Sequence, residues 1–180
     1  MFSFFILLIY IYCLYVGYRR GLAYEGISAI GYLISLVIAG LLYKPFGSFL
    51  NLWVPYPSAS DRSKFAFFDR TTGLTLDKSF YAAVAFVIIL LVCYGIWRII
   101  MRGFKQLEFV EINREINIWA SILVALVVTQ IGLYLFIFIL ATIPSPGLQS
   151  ALEKSILANS ILRYTPGISQ LFINLFVNAI

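Results

Sequence analysis

The sequence contains no histidine and only two cysteines in 180 residues. Histidine is the commonest general base near neutral pH and the commonest metal ligand, so its absence removes the usual starting point for both kinds of site. The two cysteines, Cys13 and Cys93, lie in separate apolar runs and form no metal-type spacing. No Ser/His/Asp or Cys/His arrangement and no glycine-rich phosphate loop can be assembled. The sequence therefore predicts neither an enzyme nor a bound cofactor.

Charged residues are also scarce, at 12% of the chain against 62% apolar residues. A soluble domain carries roughly a quarter charged residues. The 13 basic residues, which give a formal charge of +5, are scattered across the polar segments and form no dense patch. They are typical of topology signals and lipid contacts, so no nucleic-acid partner is expected, and the lipid bilayer is the predicted environment.

Long apolar runs fill most of the remaining sequence. Met1–Tyr18, Gly26–Tyr43 and Ser79–Trp97 carry no charge, and Ile116–Leu152 forms a fourth uncharged stretch that stays apolar to Ile143. About 20 residues of helix span the hydrocarbon, where the backbone must satisfy its own hydrogen bonds. The sequence therefore predicts an all-α polytopic membrane protein with four transmembrane helices and short interfacial amphipathic helices.

The predicted boundaries follow from charge and proline. Lys44-Pro45 is expected to end the second span, and Pro144 the fourth. The resulting four-helix domain covers 1–143, with spans at about 1–18, 24–42, 80–100 and 116–143 and an outer loop at 43–79.

Residues 144–180 are predicted to form an amphipathic tail. Gly147–Arg163 is predicted as one helix that ends at Thr165-Pro166. From Ile168 to Ile180 apolar residues recur at helical spacing, and this segment is too short to span a bilayer.

Basic residues also predict the orientation. Residues 18–25 and 98–115 hold six Lys and Arg in 26 residues, whereas 43–79 and 144–180 hold seven in 74. Because the denser side is normally cytoplasmic, both termini are expected outside.

The first candidate site is a compact charged corner between the first two spans. It comprises Gly17, Arg19, Arg20, Gly21 and Glu25. Two interpretations are open: a topology signal with an ion pair at the membrane surface, or a docking site for a cytoplasmic partner.

The second candidate is the intramembrane polar pair Thr129 and Gln130. A buried amide is costly unless it is bonded, which favours an interhelical hydrogen bond. The alternative is a polar transport path that also uses Tyr10 and Tyr12. All eight carboxylates lie in loops or at span ends, which counts against a self-contained ion-coupled carrier.

Two ridges of small residues predict close helix packing, because small side chains let backbones approach. They are Gly31, Ser35 and Ala39 in the second span, and Ser121, Ala125 and Thr129 in the fourth.

The sequence resembles the colicin V production protein family over nearly its whole length. The likeness rests on Gly17–Leu22 (Gly-Tyr-Arg-Arg-Gly-Leu) with Glu25, on Tyr43-Lys44-Pro45, and on Asn113-Arg114 before the fourth span. The family usually has glycines just after the Asn-Arg pair, where this chain has Asn117 and Ser121. That difference leaves open how closely the fourth span packs.

The resemblance implies a protein of the bacterial cytoplasmic membrane. The family is named for a requirement in producing a secreted peptide toxin and is linked to envelope integrity. Its four-span module also occurs ahead of an extracytoplasmic protease, which agrees with an outer C-terminus. The resemblance implies a non-enzymatic accessory or scaffold that contacts a membrane-protein partner. The alternative is a homo-oligomer that forms a small pore or transporter.

Overall fold

Four long helices make up most of the protein. The computed structural model describes residues 2–56, 65–67, 76–104, 114–165 and 167–178. The long helices are α1 (Phe2–Arg20), α2 (Leu22–Leu50), α3 (Leu76–Met101) and α4 (Arg114–Thr142). All four are long and apolar enough to cross a membrane, and no strand occurs among the described residues. The prediction of an all-α polytopic membrane protein is thus confirmed.

The helices alternate in direction and pack in pairs, α2 against α3 and α1 against α4, while α4 also contacts α2 and α3. One end of the bundle, here called the corner end, holds the α1–α2 turn, the end of α3 and the start of α4. The opposite end is called the tail end. The large apolar side chains that point away from the bundle stay exposed, which suits contact with lipid tails.

The second helix extends beyond Lys44-Pro45, where the sequence predicted its end. It continues through Pro45 to Leu50, so residues 43–50 of the predicted outer loop are helical. Proline removes one helical hydrogen bond, but tertiary packing stabilises the helix beyond it. Tyr43 is buried against Phe86 of α3, and Gly47 lies against the α3 backbone at Tyr81.

The described remainder of that loop packs partly on the bundle. The Tyr56 hydroxyl donates to the carbonyl of Thr142 at 2.7 Å, and the Tyr81 hydroxyl donates to the carbonyl of Val54 at 2.6 Å. Burial raises the pKa of Tyr56 to about 12, which favours the protonated hydroxyl that donates this bond. Residues 57–64 and 68–75 of the predicted loop lie outside the described residues, as does Asn113.

The tail forms two short helices where one was predicted: α5 (Pro146–Glu153) and α6 (Ile156–Tyr164). Ser155 interrupts the predicted helix because its side chain accepts the backbone N–H of Ala158 and caps α6. Pro166 and residues 179–180 lie outside the described residues.

The last segment, α7 (Ile168–Ile173) with a π-helical turn (Asn174–Asn178), packs on the bundle. Phe172 and Phe176 are buried and stack on each other, with ring centroids 5.6 Å apart. Phe176 also meets Tyr43 of α2 and Phe138 of α4. Leu171, one of the apolar residues that recur at helical spacing from Ile168 to Ile180, is 59% exposed.

Candidate functional site

The corner residues predicted from the sequence come together where α1 turns into α2. Gly21 has φ 74° and ψ 161°, a left-handed conformation that favours glycine. Gly17 lies so close to α4 that an added Cβ would stand 2.8 Å from the Cα of Ile122. Both glycines are therefore required by backbone geometry.

Two side chains of α4 join the corner through hydrogen bonds. The side-chain oxygen of Asn117 accepts the backbone N–H of Leu22 at 2.7 Å, and the Ser121 hydroxyl donates to the carbonyl of Gly17 at 2.7 Å. The first bond satisfies one of the free N–H groups at the start of α2. These two residues attach α4 to α1 and α2 directly.

The charges of the corner differ in exposure. Arg20 pairs with Glu25 at 3.5 Å, and its guanidinium lies 5.7 Å from the centre of the Tyr24 ring. Glu25 is only 5% exposed, whereas Arg19 lies on the surface and donates to the Tyr15 hydroxyl at 3.2 Å. The corner thus combines a buried carboxylate with an exposed cation.

A polar face between α2 and α3 begins at Glu25 and was not predicted. Ser28 and Tyr32 follow Glu25 at helical spacing and are 1% and 5% exposed. On α3 the Tyr94 ring meets the Tyr32 ring edge to face, and Arg98 lies close to Tyr94. We call these five residues, with Trp97, the corner polar face. The spacing of Glu25, Ser28 and Tyr32 is a signal that could have indicated it.

Several atoms of the corner polar face have no hydrogen-bond partner among the described residues. They are Glu25 Oε2, Ser28 Oγ, Tyr32 Oη, Trp97 Nε1 and Arg98 Nη1. An unsatisfied buried polar group costs about 1–3 kcal/mol, and more when it is charged. Such a concentration in one place is unusual for a purely structural interface.

The predicted polar pair is divided between two sets of contacts. The Thr129 hydroxyl donates to Cys13 Sγ of α1 at 3.1 Å. Gln130 accepts from the Tyr10 hydroxyl and donates to Thr165 Oγ1 at 2.9 Å. Its side chain therefore connects α1, α4 and the tail.

An open cavity of about 460 Å³ borders Tyr10, Gln130 and Thr165 and is also lined by α6. Tyr12, the other tyrosine of the hypothetical path, is 65% exposed on the outside of α1. It therefore contributes nothing to this cavity.

The small-residue ridges occupy the predicted interfaces. Ser35 and Ala39 are buried, and the Trp97 indole of α3 lies directly against Gly31. Ser121 and Ala125 lie against Gly17 of α1. Close approach at both helix pairs follows from these small residues.

No group of three or more His, Cys, Asp or Glu that could hold a metal ion occurs among the described residues. The corner instead offers fixed charges and hydrogen-bond donors, which suit recognition of a partner or of an anionic group.

Comparison with known proteins agrees with the architecture. The family model "Colicin V production protein" matches residues 2–166. The chain is 26% identical over 157 residues to the uncharacterized transmembrane protein YshB of Bacillus subtilis (strain 168), covering 87% of this chain and 86% of the relative. No solved structure matches the chain. The chain therefore belongs to the colicin V production protein family.

Proposed function

We propose that this protein is a non-enzymatic accessory or scaffold protein of the bacterial envelope. It supports export or envelope assembly, including toxin production, through contacts with another membrane protein. Its proposed location is the cytoplasmic membrane, with both termini outside, as the density of Lys and Arg at the corner end favours.

The observation that supports this proposal is that the corner presents an exposed charge on a fixed turn. Arg19 is exposed, and the turn that presents it is fixed by Gly21 and by the bonds from Asn117 and Ser121. A charge on a rigid turn loses little conformational entropy on binding. It suits an acidic segment of a membrane-protein partner on the cytoplasmic side.

The test is purification in mild detergent, followed by identification of co-purifying proteins. We expect a defined partner with the parent protein and loss of that partner with Arg19→Gln. This variant removes an exposed charge and leaves the Arg20–Glu25 pair intact. Tyr18→Phe is the matched control, because Tyr18 is a 58% exposed neighbour and the variant keeps every charge. Retention of the same partner by Arg19→Gln would contradict docking at the corner.

A second candidate is a subunit of a small oligomeric pore or transporter. The cavity beside Tyr10, Gln130 and Thr165 favours it, since it places a polar amide near the middle of the bundle. A homo-oligomer that conducts ions in liposomes, with flux reduced by Gln130→Leu, would support this candidate over the accessory role.

A further inference from the structure

The corner polar face presents its unpartnered atoms on two facing helices. Ser28 and Tyr32 lie one turn apart on α2, and Trp97 and Arg98 are adjacent on α3. The two helices are held together here because Trp97 packs on Gly31 and the Tyr32 and Tyr94 rings meet edge to face at 5.2 Å.

The chemistry of these atoms selects the kind of group that would satisfy them. Trp97 Nε1 and Arg98 Nη1 can only donate, and the Ser28 and Tyr32 hydroxyls can donate. Glu25 already has Arg20 as its ion-pair partner. A group that satisfies the donors must therefore supply acceptors.

The positive charge of Arg98 indicates that the group bound at this face is an anion. Among the described residues, Arg98 has no carboxylate partner, although its Nη1 atom is buried. An enclosed nitrogen of this half-buried cation is stabilised when an anion pairs with it. We propose that the corner polar face binds an oxyanion, a phosphate or carboxylate group, through Arg98, Trp97, Ser28 and Tyr32. This proposal goes beyond the accessory role and does not depend on it.

Depth in the bundle indicates two sources for the oxyanion. Arg98 lies three residues before the end of α3, whereas Ser28 and Tyr32 lie six and ten residues after the start of α2. At 1.5 Å per residue Arg98 is within about 5 Å of a helix end, the level of lipid phosphates, and Tyr32 lies about 15 Å from the start of α2. The Trp97 and Arg98 side chains are half-buried and border the surface, but their Nε1 and Nη1 atoms are enclosed, so a lipid headgroup or a soluble oxyanion reaches these donors when the two side chains move.

The fluorescence of Trp97 can report binding at the corner polar face. Trp53 and Trp119 are each 72% exposed, so Trp53→Phe with Trp119→Phe leaves Trp97 as the sole tryptophan. This double variant, in an uncharged detergent, is titrated with phosphatidylglycerol and separately with inorganic phosphate at constant ionic strength. We expect a saturating change in Trp97 emission. Saturation with phosphatidylglycerol alone assigns the site to a lipid headgroup, and saturation with inorganic phosphate assigns it to a soluble oxyanion.

Variants in the same background test the donors. Arg98→Gln should raise the half-saturation concentration at least about tenfold, in the range for a hydrogen bond to a charged group. Arg102→Gln is the matched control, since Arg102 is exposed one turn further along the same segment, and it should change the value less than about twofold. Ser28→Ala deletes one hydroxyl with little change in volume and should weaken binding about two- to fivefold. If Arg98→Gln does not fold, Ser28→Ala tests whether the corner polar face binds the oxyanion.

Two results would overturn the proposal. One is the lack of a saturating response to both probes. The other is equal weakening by Arg98→Gln and Arg102→Gln, which would show attraction to net positive charge instead of binding at the corner polar face.

Discussion

The side-chain oxygen of Asn117 accepts the backbone N–H of Leu22 across 2.7 Å, so a residue of α4 caps the start of α2. Asn117 is 7% exposed, and water has little access to this bond. Asn117→Ala should lower the free energy of unfolding by about 0.5–2 kcal/mol, the usual cost of losing a helix cap. Thermal unfolding in detergent measures the loss. Ile116→Ala, at the 62% exposed neighbouring position, is the control and should change stability less. Equal midpoints for Asn117→Ala and the parent would show that the bond contributes nothing.

Glycine at position 17 sets the distance between α1 and α4. Gly17→Ala places a Cβ 2.8 Å from the Cα of Ile122, so the helices must separate, and we expect a loss of about 1–3 kcal/mol in thermal unfolding. Gly26→Ala is the matched control, because nothing lies within 4 Å of a Cβ at that helical position. It should leave stability unchanged or raise it by up to about 1 kcal/mol. A stable Gly17→Ala variant would mean that the α1–α4 contact adjusts easily.

Orientation is tested by cysteine labelling. In a Cys13→Ala, Cys93→Ala background, Leu52→Cys and Gly103→Cys place exposed thiols at the tail end and the corner end. An impermeant thiol reagent on intact cells should label position 52 and spare position 103, since segments rich in Lys and Arg stay cytoplasmic. The reverse labelling would invert the proposed topology.

The packing of the tail depends on two phenylalanines. Phe172→Ser with Phe176→Ser removes two buried rings and should release the segment after Thr165, because each large-to-small change in a core costs about 3–5 kcal/mol. Faster amide exchange or protease cleavage after Thr165 measures the release, while the four long helices stay inserted. Leu171→Ser, at a 59% exposed position, is the control. Unchanged protection in the double variant would show that other contacts hold the tail.

The membrane class of this protein follows from its sequence alone. Long uncharged runs must be helical in lipid, so the number and approximate position of the four spans depend on local composition. The small residues Gly31 and Ser121 likewise indicated helix contacts, because only small side chains allow backbones to come close. The corner was also visible, since Arg19, Arg20 and Glu25 are neighbours in the chain.

Tertiary structure decided what local sequence does not encode. The helix passes Pro45 because Tyr43 and Gly47 pack on α3, and this packing offsets the hydrogen bond that proline removes. The bonds from Asn117 to Leu22 and from Gln130 to Thr165 join residues distant in sequence, and no pattern specifies such partners. Trp97 meets Gly31 only when α3 lies beside α2. Spacing along one helix shows which residues share a face, but only the packed bundle determines which face they meet.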